Sequence, residues 1–383
     1  MRPARSGDDR YLLYSGGTSG RPKGVLWRHE DLFLAALSGG SPGGEPVTDP
    51  WQLAALARTG GTRCLPASPF MHGTGHWMAL RMLLGGGTVI ALRDRRFDPG
   101  RLLDVLASES VTFLVIVGDA FGRPVVDALE RRPDAQDLAA LSVVLSGGAT
   151  LSSGTTADLL RLLPWTMVVD GFGASETGGQ GRRVSYPGSP VVGGARFAMA
   201  TGTTVVDDDL RPLAAGDGRI GWLARRGNVP LGYLGDPARS ARTFPVVDGV
   251  RWAVPGDQAT IEADGTVTVL GRSSSTINTG GEKVHAEEVE SAVRAHPDVV
   301  DAVVVGVEDP RWGEVVTAVV SLRHGRDLTA ADVVQHCRSE LAGYKLPRRL
   351  VVVDEVVRTP TGKPDVRWAR ATAAVGTGGT ATA

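Results

Sequence analysis

Lysine is scarce in this chain. Of its 41 basic residues, four are lysines, and each lies in a segment flanked by glycine or proline: Lys23, Lys283, Lys345 and Lys363. A lysine ammonium is a compact point charge, whereas an arginine guanidinium is a rigid planar fork. The four lysines therefore indicate positions that need a point charge, for which a phosphate or a reacting carboxylate is a suitable partner. Chance is the alternative explanation for any one of them.

The sequence also has few cysteines, almost no net charge and no long apolar run. Cys64 and Cys337 lie far apart without metal-ligand spacing, as expected for reduced thiols in a cytoplasmic protein. A net charge of −1 gives no field that would attract nucleic acid or an acidic membrane. No apolar run approaches the ~20 residues of a membrane helix, and residues 1–10 lack the apolar core of a signal peptide. We expect a cytoplasmic protein without nucleic-acid partners or an integral membrane segment; a homodimer is compatible with these features.

Strand-like and helical segments alternate in the first half of the chain. Strands are predicted at 11–14, 88–92, 112–117, 141–145 and 165–170, and helices at 29–38, 50–58, 98–108, 119–132 and 154–163. The strands are continuously apolar, which is typical of a parallel sheet covered by helices on both faces.

The pattern changes twice after this half. Short strands joined by turn pairs such as Asp217-Gly218 predict a β-rich part over about 190–272. From about 275 an α+β unit is predicted, with helices at 286–296, 328–342 and 364–371 and strands at 300–307, 315–322 and 349–353. The Ala/Thr/Gly tail, 372–383, is expected to be disordered.

A phosphate cradle is the strongest motif near the start of the chain. The segment Ser15-Gly16-Gly17-Thr18-Ser19-Gly20-Arg21-Pro22-Lys23-Gly24 follows an apolar strand. Its glycines let backbone N–H groups approach an anion, its hydroxyls add donors, and Lys23 adds charge. The Gly-Lys-Ser/Thr ending of a Walker A loop is absent, which disfavours a P-loop kinase. A solvent-exposed Gly/Ser linker is the structural alternative.

This segment resembles the phosphate-binding signature of the adenylate-forming superfamily, which includes acyl-CoA synthetases, peptide-synthetase adenylation domains and luciferases. The resemblance runs from about residue 9 to 371. It implies an α/β fold in which a large adenylation domain, here N-terminally truncated, carries a small mobile α+β C-terminal domain. The implied boundaries are 1–272 for the large domain, with a β-rich subdomain at about 190–272, and 273–371 for the C-terminal lid domain.

Further motifs match this family in order, and they imply an ATP site. Gly148 and Ala149 resemble the turn that lies against the adenine and acyl groups. In the segment 171–178, Gly173 and Ser175 resemble the phosphate-contacting positions, and Glu176 the ligand of Mg²⁺. Asp257 resembles the acceptor of the ribose hydroxyls, although an isolated Gly-Asp pair is usually a turn. Arg272 resembles the second ribose and phosphate contact.

The C-terminal motifs imply the catalytic steps. Lys363 resembles the lysine that bridges the incoming carboxylate and the nucleotide; an exposed loop lysine is the alternative. Ser274 lies at the hinge position, where many members of the family have Asp or Lys. Gly280, Gly281, Glu282 and Lys283 resemble the loop that lines the pantetheine tunnel.

The segment Pro69–Trp77 resembles the acyl-pocket motif of the family. His72 lies at the position whose ring closes off the carboxylate pocket, while His76 and Trp77 belong either to the pocket wall or to the core, and the core is favoured. Peptide-synthetase domains have an aspartate here that binds an amino group, and its absence argues against an amino-acid substrate.

Segments 25–31, 117–124 and 277–283 are similar to an actinobacterial branch of acyl-CoA synthetases. The resemblance implies an ATP- and Mg²⁺-dependent ligase that converts a fatty or steroid-derived carboxylic acid into its CoA thioester. Two alternatives stay open: an adenylating ligase that loads a carrier protein, and a non-catalytic nucleotide-binding remnant. The family portion that precedes the phosphate loop has no counterpart here, which fits a late start, a separate polypeptide or a degraded paralogue.

Overall fold

The computed structural model describes residues 5–15, 22–40, 47, 50–58, 60–94, 96–132, 136–191, 194–359 and 362–375. Ten α-helices lie within these residues: α1 (His29–Ala35), α2 (Pro50–Arg58), α3 (Gly73–Leu84), α4 (Pro99–Ser108), α5 (Gly118–Glu130), α6 (Ser153–Leu162), α7 (Pro237–Thr243), α8 (Ala286–Arg294), α9 (Ala330–Cys337) and α10 (Val366–Val375). None of these helices combines the length and the apolar character needed to cross a membrane.

The strands of the described residues fall into three sheets. In chain order they are β1 (Arg10–Ser15), β2 (Lys23–Arg28), β3 (Arg63–Pro66), β4 (Thr88–Val89), β5 (Phe113–Ile116), β6 (Val143–Gly147), β7 (Met167–Ala174), β8 (Gly178–Ser185), β9 (Arg196–Met199), β10 (Thr203–Val206), β11 (Gly221–Arg226), β12 (Gly232–Tyr233), β13 (Val246–Val247), β14 (Val250–Ala253), β15 (Asp257–Ile261), β16 (Val267–Arg272), β17 (Thr276–Thr279), β18 (Glu282–His285), β19 (Val299–Asp309), β20 (Gly313–Leu322) and β21 (Arg349–Val353).

The largest sheet has a parallel half and an antiparallel half. Strands β4, β3, β5, β6 and β7 pair in parallel, and β8 turns the sheet antiparallel beside β7. The order β9, β16, β15, β11 then continues the same sheet. Sites in such folds form where the carboxyl ends of parallel strands meet loops, and here those ends lead into the turns at 147–149 and 174–178.

Helices α4, α5 and α6 cover the parallel strands. Their apolar faces and the strands form one core that includes Leu103, Leu114, Val125, Val144 and Leu159. The helix starts are set by side-chain caps: Asp98 accepts a hydrogen bond from the backbone of Arg101, and Ser152 accepts one from Thr155. The caps fix the N-termini of α4 and α6 beside the sheet.

Residues 276–375 form a second unit, here called the C-terminal unit. Its five-stranded sheet has the order β18, β17, β20, β19, with β21 parallel to β20. Valines on both faces of β19 and β20 are buried, one face under α8 and α9 and the other under α10. Such continuous apolar strands are typical of a sheet that is covered on both sides.

The predicted α/β class is confirmed, including the parallel strands between helices. Helix α3 was not predicted; two glycines in its first turn weaken the helical signal, and burial of Trp77, Ala79 and Met82 stabilises it. Of the strands β9–β16, all except β12 continue the sheet that contains the parallel strands, whereas β12 pairs with β2 in the three-stranded sheet. The last helix continues to Val375, four residues beyond its predicted end; residues 376–383 of the predicted disordered tail lie outside the described residues.

Candidate active site

Glu176 lies in the turn between β7 and β8, and its carboxylate is buried. The hydroxyl of Tyr233, on β12, donates a 2.8 Å hydrogen bond to its Oε1 atom. Burial and the nearby Glu176 charge raise the pKa of Tyr233, so its hydroxyl keeps the proton that it donates. Lys23 Nζ lies 5.5 Å from the centroid of the Tyr233 ring. One aromatic side chain thus contacts both a predicted metal ligand and a predicted phosphate ligand.

Backbone contacts fix the turn that carries Glu176. Trp27 Nε1 donates a 3.1 Å hydrogen bond to the carbonyl oxygen of Ser175. The buried Arg225 donates to the carbonyl oxygens of Thr177 and Gly179, at 3.0 and 2.6 Å. These donors come from two different strands, so the turn is held from both sides.

At the start of this turn the backbones of the two strands approach each other closely, and Gly173 allows this approach. A Cβ atom built on Gly173 would collide with the carbonyl oxygen of Gly178 on the facing strand. The predicted phosphate-contacting segment therefore needs glycine here for packing, independently of any ligand.

Asp257 and Arg272 face each other across the β15–β16 pair. Arg272 Nε donates to Asp257 Oδ1 at 3.3 Å. Burial opposes the charge of Arg272, but Asp257 and then Glu176 outweigh it, so the pKa of Arg272 lies above its ordinary value. The predicted ribose acceptor therefore lies in the same electrostatic environment as Glu176.

Lys363, in the C-terminal unit, lies within electrostatic range of this group. Burial and then the neighbouring Arg272 lower the pKa of Lys363, while Glu176 and Asp257 act in the opposite direction. Its loop lies against the start of α5, because a Cβ on Gly362 would meet Phe121 and Val117 at 3.2 and 3.3 Å. The structure therefore brings Lys363 together with Glu176, Asp257 and Arg272.

His72 occupies the N-cap position of α3. Burial and the charge of Lys363 lower its pKa, which favours the neutral ring. Its buried Nε2 has no hydrogen-bond partner in the described residues. The predicted pocket histidine therefore lies near Lys363 with one ring nitrogen available to a ligand.

His76 and Trp77, which follow His72 in α3, belong to one hydrogen-bonded group. Trp77 Nε1 donates to the hydroxyl of Tyr11 at 3.2 Å, and this hydroxyl lies 3.3 Å from His76 Nε2. Trp77 is part of the core beside β1 and β2. The expectation that these two residues serve the core holds for Trp77, while His76 is half-buried.

The turn with Gly148 and Ala149 follows β6. Gly148 has φ +88°, and a Cβ there would lie 3.2 Å from Thr74 Oγ1. Gly118 packs against Ala149, so the start of α5 adjoins the turn. This turn and the Lys363 loop therefore both lie against Val117–Phe121, and the turn also contacts Thr74, two residues after His72.

The phosphate loop is described at its two ends. Ser15 ends β1 and pairs with Lys23 at the start of β2. β2 also pairs with β12, which carries Tyr233. Both ends of the loop therefore lie near Glu176. Gly16, Gly17, Thr18, Ser19 and Gly20, which are predicted to bind ATP, lie outside the described residues.

The predicted hinge directly precedes the C-terminal unit, and the predicted pantetheine loop lies within it. Ser273–Ser275 form one short helical turn, in which Ser275 Oγ donates to Glu287 Oε1 at 2.7 Å. Gly280, Gly281, Glu282 and Lys283 are exposed at the β17–β18 turn. Among the described residues, no recorded contact joins this turn to Lys363. The roles of Ser274 and of residues 280–283 stay predictions.

Lys345 differs from Lys23 and Lys363, because its ammonium pairs with both carboxylate oxygens of Glu288, at 2.7 and 2.8 Å. The charge of Lys345 is therefore paired within the C-terminal unit and does not need a substrate as its partner.

The charges of the site fit an anionic ligand. Lys23 is within electrostatic range of Arg239, Arg272, Glu176 and Asp236, and Lys363 is within range of Arg272, Glu176 and Asp257. Among the described residues neither Lys23 nor Lys363 forms an ion pair, and an unpaired ammonium in surroundings as enclosed as those of Lys363 is costly. A polyphosphate would supply the missing negative charge.

The donor set also fits magnesium. The described residues contain no cluster of three or more His, Cys, Asp and Glu side chains able to hold a metal. Mg²⁺ does not need such a cage, because it commonly takes one or two carboxylates together with substrate phosphates and water. Glu176 can supply the protein ligand.

The sequence analysis missed two residues of this site, Tyr233 and Arg225. Tyr233 is 57 positions from Glu176 and lies in a two-residue strand. Arg225 resembles every other arginine in an arginine-rich chain. The segment Gly232-Tyr233-Leu234-Gly235 makes Tyr233 noticeable in the sequence, but the pattern does not indicate what chemistry this tyrosine would serve.

The fold and the site together define an adenylate-forming enzyme, with a large sheet domain and a smaller unit whose Lys363 lies near Glu176 and Asp257. Residues 2–234 match the family model of the AMP-binding enzymes, and residues 288–363 match that of the AMP-binding enzyme C-terminal domain. The chain belongs to the AMP-binding enzyme family.

Two relatives indicate the branch of this family. The chain is 45% identical over 373 residues to a 3-oxocholest-4-en-26-oate–CoA ligase of Rhodococcus rhodochrous, covering 96% of this chain and 67% of that protein. It is 46% identical over 371 residues to a medium/long-chain-fatty-acid–CoA/3-oxocholest-4-en-26-oate–CoA ligase of Mycobacterium tuberculosis, with the same coverage. These values place the chain in the acyl-CoA synthetase branch.

A solved structure supports the same fold. ATP-bound MatB from Rhodopseudomonas palustris matches with a TM-score of 0.76 and 27% identity, over 96% of this chain and 69% of that one. The chain is therefore shorter than its relatives in both comparisons.

Proposed function

We propose that this protein is an ATP-dependent acyl-CoA ligase that activates a fatty or steroid-derived carboxylic acid. The observation that carries the proposal is the convergence of Lys363 with Glu176, Asp257 and Arg272 at one buried site. The names of the two relatives support the acyl substrate and CoA as the acceptor, in preference to a carrier protein.

The first step is adenylation. The substrate carboxylate attacks the α-phosphorus of ATP, a P–O bond forms, and pyrophosphate leaves with the electrons of the broken bond. Lys363 stabilises the charge that builds on the α-phosphate oxygens, and Lys23 neutralises the remaining phosphates. Asp257 holds the ribose hydroxyls, and the neutral His72 ring borders the carboxylate. Mg²⁺, when bound at Glu176, supplies further charge neutralisation.

The second step is thioester formation. The CoA thiol attacks the acyl carbon of the acyl-adenylate, and AMP leaves. We assign the loop 280–283 to guiding pantetheine and the turn around Ser274 to the pivot that brings this loop to the site. A cytoplasmic location and a homodimer, which the sequence analysis raised, stay predictions.

The test is ATP–pyrophosphate exchange with a panel of carboxylic acids, followed by product analysis with CoA. We expect exchange that depends on a medium- or long-chain fatty acid or a steroid carboxylic acid, and a CoA thioester as the product. A soluble, folded sample that catalyses no exchange with any acid would favour the non-catalytic remnant. Exchange followed by acyl transfer to a carrier protein and not to CoA would favour the carrier-loading ligase.

A further inference from the structure

Arg358 grips the loop that presents Lys363. Its Nε and Nη2 atoms form a bidentate ion pair with the carboxylate of Asp301, and each hydrogen bond is 2.6 Å long. Its Nη1 atom donates to the carbonyl oxygen of Gly362 at 2.9 Å. The guanidinium therefore connects a strand of the C-terminal sheet to the residue directly before Lys363.

The loop itself is tightly closed. The backbone N–H and the hydroxyl of Thr359 both donate to the carbonyl oxygen of Lys363, at 2.8 and 3.1 Å. The N–H of Gly362 donates to the carbonyl oxygen of Thr359 at 2.9 Å, and Gly362 has φ +79°. A displacement of Arg358 is thus transmitted to the backbone of Lys363.

Arg294 continues the series below Asp301. Its Nη1 atom lies 4.0 Å from Asp301 Oδ1 and donates to the carbonyl oxygen of Ala302 at 2.8 Å. Both terminal nitrogens also donate to Glu290 at 3.3 Å. The Arg294 side chain is 4% exposed, so its charge depends on these partners.

Asp119 supplies the contact with the large sheet domain. Its Oδ2 atom lies 3.7 Å from Arg294 Nε, and its side chain is 5% exposed. Its Oδ1 atom accepts hydrogen bonds from the N–H and hydroxyl of Ser152 at the start of α6, at 3.0 and 3.1 Å. Asp119 is thus fixed to the large domain while its second oxygen faces the C-terminal unit.

We propose that Asp119, Arg294, Asp301 and Arg358 are positioning residues that make the presentation of Lys363 depend on docking of the C-terminal unit against α5. Successive members of the series lie within 4.0 Å of one another, with Asp119 and Asp301 at 3.7 and 4.0 Å from Arg294, and every member is largely buried. Glu290 and Asp301 belong to the C-terminal unit, and docking adds the Asp119 carboxylate as a further partner of the buried Arg294 charge. The docked arrangement thus holds Arg294, and through Asp301 it holds Arg358 and the Lys363 loop. The inference rests on the proposed function.

The variants that test this inference change charge without changing size. Asp119→Asn keeps an oxygen for Ser152 and removes the attraction to Arg294. Arg358→Lys keeps the charge but cannot hold Asp301 and Gly362 at the same time. We expect each variant to lower ATP–pyrophosphate exchange at least tenfold, and to change thioester formation from supplied acyl-adenylate less than twofold.

A matched control lies on the same helix. Asp127 on α5 pairs with Arg323 of the C-terminal unit at 3.9 Å, and both side chains are about one third exposed. This pair also joins the two units but has no recorded connection to the Lys363 loop among the described residues. Asp127→Asn should leave both half-reactions within twofold of the unsubstituted protein.

The outcomes separate this inference from the proposed function. If the unsubstituted protein shows no exchange, the proposed function fails. If it is active and Asp119→Asn matches it, or if Asp119→Asn and Asp127→Asn lose exchange equally, the positioning series is wrong. Equal losses in both half-reactions would also overturn it, since they indicate a general structural defect. Should Asp119→Asn be insoluble, Arg358→Lys and Asp301→Asn carry the same test from the other end of the series.

The double variant gives an independent check. Residues that act through one connected series show losses that do not add. Asp119→Asn combined with Asp301→Asn should lower exchange little more than the worse single variant does. If the fold-losses in exchange of the two single variants multiply in the double variant, the two residues act separately.

Discussion

Tyr233 and Glu176 form a hydrogen bond of 2.8 Å between a phenolic hydroxyl and a buried carboxylate. The same ring packs against Phe244 and lies under the ammonium of Lys23. This tyrosine therefore orients the residue assigned to magnesium and supports one assigned to phosphate. Its hydroxyl and its ring can be tested separately.

Tyr233→Phe removes the hydroxyl and keeps the ring. A hydrogen bond to a charged group contributes about 1.5–3 kcal/mol, so we expect kcat/KM for ATP to fall about tenfold or more, with a higher Mg²⁺ requirement. Tyr233→Leu also removes the ring under Lys23 and should lose more. The measurement is the ATP and Mg²⁺ dependence of pyrophosphate exchange, with the exposed Tyr186→Phe as control. Unchanged ATP and Mg²⁺ dependence in Tyr233→Phe would contradict the orienting role.

Lys363→Ala separates the two half-reactions. Loss of a preorganised charge at the α-phosphate costs a factor of about 10²–10³ in rate, so exchange should collapse while thioester formation from supplied acyl-adenylate continues. Lys345→Ala is the matched control, because its ammonium pairs with Glu288 away from the cluster; it should lower stability slightly and leave exchange within twofold. Equal losses in both half-reactions of Lys363→Ala would refute the division of roles.

Asp257→Asn tests the ribose assignment. The carboxylate can accept from both hydroxyls of the ribose, whereas an amide presents one oxygen and one donor group. We expect the KM for ATP to rise about tenfold and the preference for ATP over 2′-deoxy-ATP to shrink. Exchange measured with both nucleotides checks this. A variant that keeps the full preference would show that another group reads the ribose.

Glu287 predicts a pH dependence of stability. Burial, then the nearby Glu290, raises its pKa to about 7. The native state therefore holds this proton between about pH 4.5 and 7 while the unfolded chain has released it. Stability from this group is complete below the unfolded pKa and declines as pH rises through 7, by about 3 kcal/mol.

Urea unfolding at pH 5 and pH 8 measures this effect. Glu287→Gln should make the decline between the two values smaller by about 3 kcal/mol; part of the decline remains, because burial also raises the pKa values of Asp170 and Glu290. Glu308→Gln, a change at an exposed position of β19, should parallel the unsubstituted protein. If Glu287→Gln loses as much stability between pH 5 and pH 8 as the unsubstituted protein, the buried carboxyl is not its source.

Local patterns predicted much of the fold. Continuous apolar runs placed β5, β6 and β7, and their helices followed within two residues at each end. The continuation of the sheet through β8 and β9 could not be predicted, because it depends on pairing between strands that sequence separates. Helix α3 begins with Gly73 and Gly75, whose weak helical preference is overcome by burial of Trp77.

The candidate site was predicted in parts. Glu176, Asp257, Arg272 and Lys363 follow from motifs, and the structure brings them together. Tyr233 and the series from Asp119 to Arg358 were missed because ordinary residues gain a role here through contacts between distant segments. The assignment of Gly16–Gly20 stays a prediction.

A crystal structure with a non-hydrolysable acyl-adenylate analogue and Mg²⁺ tests the central claim most directly. The account predicts that the ribose hydroxyls of the analogue contact Asp257 and that its phosphate mimic lies within reach of Lys363. The bound analogue should lie beside Tyr233 and Glu176. An analogue that binds elsewhere, or that occupies this cleft without contacting Asp257 and Lys363, would contradict it.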